Sequence, residues 1–109
     1  MKNFVAEGTS IQIAAPAGGV IGGKPYKIGN LIAVAVADAV EGEQVTMMLK
    51  GSYRDIPKVT GTAFGLGDTL YFKADTSEMT KTASGNSFAG YAFEPADSAA
   101  AVCTVLLSY

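Results

Sequence analysis

Apolar and polar residues alternate along this chain in short runs, and nearly every run ends at a Gly, Pro, Asn or Asp. Such a run suits one strand with one buried face, because successive side chains of a strand point to opposite sides. Thr9-Ser10-Ile11-Gln12-Ile13 places Ile11 and Ile13 on one face. Tyr26–Ile28 is short, with Gly29-Asn30 as the turn after it, and 31–37 is a continuous apolar run whose length and Val content favour a buried strand. Val45, Met47 and Leu49 alternate with Thr46, Met48 and Lys50. Further strands are predicted around Tyr53 and Ile56 with Pro57 interrupting, and over 69–73, 79–82, 88–94 and 101–107. The Gly/Ala/Pro segment 14–23 reads as loop, and 96–100 predicts one short helical turn. The expectation is an all-β fold, a compact β-barrel or sandwich of short strands.

At 109 residues the chain has the length of one domain. We expect a single β domain over 9–109, preceded by a flexible N-terminal arm over 1–8 that orders on a partner. Hydrophobic residues make up 49% and charged residues 17%. A monomer with so few charges struggles to cover its surface with solvated groups, so an oligomer or a docked partner is expected. The net charge is −2 and no Lys/Arg cluster occurs, which argues against nucleic acid and against a polybasic membrane contact. A single cysteine, Cys103, permits no intrachain disulfide, and its apolar run suggests a buried thiol. The N-terminus does not read as a signal peptide, and the longest apolar run is too short to span a bilayer. Synthesis and assembly in a cytosol are the default.

Gly18-Gly19-Val20-Ile21-Gly22-Gly23-Lys24-Pro25 matches the phosphate-binding pattern G-x-x-x-x-G-K-[ST] except at its last place. Pro25 has no hydroxyl for Mg²⁺, and the residues that follow favour strand rather than the helix this loop needs. The chain has no histidine, which removes the commonest general base and any Cys/His zinc site. Asp38, Glu41 and Glu43 gather around Gly42, where a solvated turn is a better reading than an acid pair or a cation site. Asp55, Asp68 and Asp75 sit beside turn residues, a common place for Asp to bond its own backbone. No catalytic residue, cofactor, metal ligand or small-molecule substrate is expected. Tyr53-Arg54-Asp55-Ile56-Pro57-Lys58 combines an aromatic ring and a guanidinium, so Tyr53, Arg54 and Ile56 are candidate contact residues. A protected edge strand accounts for the same stretch equally well.

Several motifs, in one order along nearly the whole chain, resemble a known family. They are Lys2-Asn3-Phe4-Val5-x-x-Gly8, the Gly-Asn-Leu-Ile-Ala-Val-Ala stretch at 29–35 and Gly51-x-x-x-x-Ile56-Pro57-Lys58. Gly65-x-Gly67-Asp68-x-Leu70-Tyr71 and Thr82-Ala83-Ser84-Gly85-Asn86-x-x-x-Gly90-Tyr91-Ala92 follow. They are similar to small tailed-phage and prophage proteins described as capsid cement or decoration proteins, some under an older label of RecA/RadA-like recombinases. The resemblance implies a virion protein on the capsid surface, binding the major capsid protein as a homotrimer. Lys2, Asn3, Phe4 and Val5 then become candidate contacts, through an arm that adds a strand to a capsid loop. Another small virion part, such as a head–tail joining or tail component, is the alternative. A nucleotide-dependent recombination protein is a third, and the broken phosphate loop argues against it.

Overall fold

The computed structural model describes residues 10–107. They form nine strands and no helix. These are β1 (Ser10–Ala14), β2 (Pro25–Ile28), β3 (Leu31–Ala35), β4 (Gln44–Met48), β5 (Gly51–Pro57), β6 (Thr69–Lys73), β7 (Glu78–Thr80), β8 (Ser87–Ala92) and β9 (Val102–Leu107). The first four make an antiparallel sheet in the order β1-β4-β3-β2, and the last five make another in the order β5-β9-β8-β6-β7. The fold is therefore all-β, as expected, and is built from two antiparallel sheets. The strand expected over 31–37 stops at Ala35. There the Ala35 carbonyl accepts the Gly23 N–H (2.8 Å) and the chain bends back along the Gly-rich loop. The helical turn expected over 96–100 is instead a bridge from Ala96 to Phe64 followed by a tight turn, closed by the Ala100 N–H on the Asp97 carbonyl at 3.0 Å. Once Ala96 is paired with another segment, its backbone is no longer free to join a helical turn.

β3 explains why its run is continuously apolar. Ile32 and Val34 point into the layer between the sheets, with Ile56, Phe64, Leu70, Phe72, Met79 and Val105. Ala33 and Ala35 point the other way, into a second cluster with Val45, Met47 and Leu49. A strand covered on both faces has no polar side to show. The loops 15–24 and 36–43 roof the second cluster through Ala15, Val20 and Ala39. They lie so close that a Cβ on Gly19 would stand 2.6 Å from the Ala39 carbonyl oxygen. Small residues here let backbone approach backbone, which accounts for some of the alanine in the chain.

Candidate interaction surface

The outward face of the five-stranded sheet is assembled by two irregularities in its ladders. In β8, Phe88 and Tyr91 are three residues apart, a spacing that regular alternation sends to opposite faces. Leu70 is paired with Gly90 and Tyr71 with Phe88, so Ala89 is an extra residue in β8. This bulge leaves Ala89 and Gly90 both buried and brings Phe88 and Tyr91 onto one side. Phe88 meets Tyr71 edge-to-face at 6.2 Å between ring centroids and Tyr91 at 5.7 Å. Phe88, Tyr91, Phe93 and Val102 keep between 38% and 49% of their surface exposed, far more than a core aromatic would. Gly90 is what permits the close approach to β9, because a Cβ there would collide with the Leu106 carbonyl oxygen.

The second irregularity lies in β5. Tyr53 is paired with Val105 and Ile56 with Cys103, so Arg54 and Asp55 together face a single residue of β9. Asp55 takes a φ of 58°, a left-handed conformation that Asp tolerates better than most residues. Arg54 is thereby turned outward into a shallow groove lined by Ser52, Tyr53, Phe93, Glu94 and Thr104. Tyr53 is half-buried against the core, its hydroxyl donates to the Lys50 carbonyl at 2.7 Å, and burial raises its phenol pKa. Ile56 corrects an expectation: it is wholly buried between the sheets and offers no contact surface. The bulge is the reason, since it returns Ile56 to the inward face. Lys2, Asn3, Phe4 and Val5, with the expected arm, lie outside the described residues. Phe88 and Tyr91 were readable as strand residues, but their shared face follows from a bulge that no local signal announces, while Phe93 lies just past the end of β8.

The Gly-rich loop has no room for a phosphate. A phosphate loop works by presenting free backbone amides. Here each amide from Gly18 to Lys24 already has an acceptor. Gly18 donates to the Glu41 carboxylate (3.2 Å), Gly22 to Asp38 (2.8 Å) and Ile21 to the Tyr26 hydroxyl (2.8 Å). Gly19, Val20, Gly23 and Lys24 donate to the carbonyls of Pro16, Ala39, Ala35 and Ile21. Glu43 accepts from the Val40 N–H at 3.2 Å. Thus Asp38, Glu41 and Glu43 act as fixed anions of the protein's own loops. Among the described residues no three Asp, Glu or Cys side chains gather as a metal site would require.

A lysine and a thiol sit deep in the molecule. Lys58 is fully buried; its ammonium donates to the carbonyls of Val59 (2.9 Å) and Ala100 (3.3 Å) and lies 4.8 Å from the Phe64 ring centre. This ties the segment after β5 to the turn before β9. Cys103 is buried nearby, and desolvation pushes its thiol pKa up to about 11 although Lys58 pulls it down. A thiol held neutral is a poor nucleophile.

The outward face of the five-stranded sheet thus gathers exposed aromatic side chains, with one guanidinium beside them. Residues 5–107 match the family model described as phage cement protein. No curated protein and no solved structure matches the chain.

Proposed function

Because this chain belongs to the phage cement protein family, a family of phage structural proteins, we propose that it binds the outer surface of a phage capsid as a trimer and stabilises the head. The observation that carries this reading is the exposed aromatic face of the five-stranded sheet, with Arg54 beside it. Aromatic rings and arginine are the groups that dominate binding energy at protein interfaces. The trimer rests on the family resemblance and on the low charge of the chain. On a shell, many identical weak contacts hold together through effective concentration. Binding only the mature lattice then raises the stability of that lattice by linkage.

The test is sedimentation of the purified protein with capsids that lack it. The bound copies are expected to scale with capsid area, whereas a joining component would saturate at a single ring. Tyr91→Glu and Phe93→Glu, both at exposed positions, should each weaken binding about tenfold or more, a loss of about 1.4 kcal/mol. Unchanged affinity in both variants would move the docking surface elsewhere on the molecule.

A further inference from the structure

The described sheets have four outer strand edges, and three of them are blocked. β2 opens on Pro25, which has no N–H to donate, and carries the exposed Lys27. β5 has the Asp55 bulge and ends at Pro57. β7 is only three residues long, and its flank is taken by Lys58 and Val59, whose N–H reaches the Met79 carbonyl at 3.1 Å. β1 differs from all three. Ser10–Ala14 has no proline, no charge and no bulge, and its pairing with β4 is regular over all five residues. No described residue pairs with its other side. Proteins normally block such an edge, because a row of open N–H and C=O groups is a template for another strand.

What fits this template can be read from β1 itself. Its order is small-Ile-Gln-Ile-small, the same in both directions. Two copies laid antiparallel about Gln12 place Gln12 opposite Gln12, Ile11 opposite Ile13, and Ser10 opposite Ala14. Ile11 and Ile13 are only half-buried, on the side of the second cluster, so this pairing covers them twice over. We infer that β1 pairs with β1 of a second copy of this chain across a two-fold axis, joining two four-stranded sheets into one of eight. Such a contact is isologous: each copy gives the same strand and receives it. It is also short, hence weak in isolation, and best filled where copies are crowded. The inference stands beside the proposed function and does not rest on it. A two-fold contact through β1 is compatible with a three-fold contact elsewhere, and the two together would tile a surface.

Disulfide trapping tests it with the full-length protein, since trapping accumulates even a weak contact. Cys103 is buried with a raised pKa, so it does not compete. Under mild oxidation Gln12→Cys, at an exposed position, should give a covalent dimer of twice 11.2 kDa on a non-reducing gel. Ser10→Cys alone should not, while a mixture of Ser10→Cys with Ala14→Cys should give the dimer. Asp75→Cys, on a remote exposed turn, sets the rate of random collision. A Gln12→Cys protein that dimerises no faster than Asp75→Cys overturns the inference, as does self-linking of Ser10→Cys equal to that of Gln12→Cys. A strand donated by a different protein would leave Gln12→Cys monomeric and would overturn it too. Capsid sedimentation is read separately, so either idea can fail without the other.

Discussion

At the scale of single residues, the buried polar pair near the start of β9 has the clearest solution signature. Burial pushes the Cys103 thiol pKa in the folded chain up to about 11, against an ordinary value of 9.0 in water. The folded state therefore holds a proton that the unfolded state gives up as pH rises past 9, and stability falls across that window. The shift corresponds to roughly 2–3 kcal/mol, lost progressively between pH 9 and 11. The raised pKa of Tyr53 acts in the same direction. Urea unfolding at pH 8 and pH 10.5 should show the loss, and Cys103→Ala should lose less than the parent protein over the same interval. An equal loss in both would put the alkaline sensitivity elsewhere. The cysteine's burial was legible from its apolar neighbours. That of Lys58 was not, because a lysine beside Tyr, Arg and Asp reads as solvated, and only the carbonyls of Val59 and Ala100 and the Phe64 ring make its burial tolerable.

At the scale of elements, alternation and turn residues located most strands, since the period of two is a local property of the sequence, and length and Val content located β3. Their irregularities were another matter. The bulges at Ala89 and Asp55 depend on which strand lies alongside, and that is fixed by contacts distant in sequence. This is why Ile56 was expected at the surface and is in the core, and why the common face of Phe88 and Tyr91 went unread. The engaged amides of the Gly-rich loop were hidden for the same reason, because their acceptors Glu41 and Asp38 come from another loop. Gly90 holds β8 against β9, so Gly90→Ala forces the two strands apart at the middle of the sheet. It should cost about 2–3 kcal/mol, seen as a lower urea midpoint at unchanged slope. A stability equal to the parent's would show that the ladder can shift to admit the methyl group.

At the scale of the whole molecule, a trimer predicts a light-scattering mass near three times 11.2 kDa that does not change on dilution. A stable mass of one chain would confine any trimer to the shell. Whatever the assembly, the protomer divides cleanly along its length: residues 10–48 make one sheet and 51–107 the other. No strand of one half is inserted into the other, so a growing chain can complete its first sheet while the second is still being translated. Ile32 and Val34 must then wait, uncovered, until the second sheet, with β8 next to β3, has been synthesised. In a cell making many copies at once, that interval is when a nascent chain is most open to capture by its neighbours, and a fast ribosome shortens it.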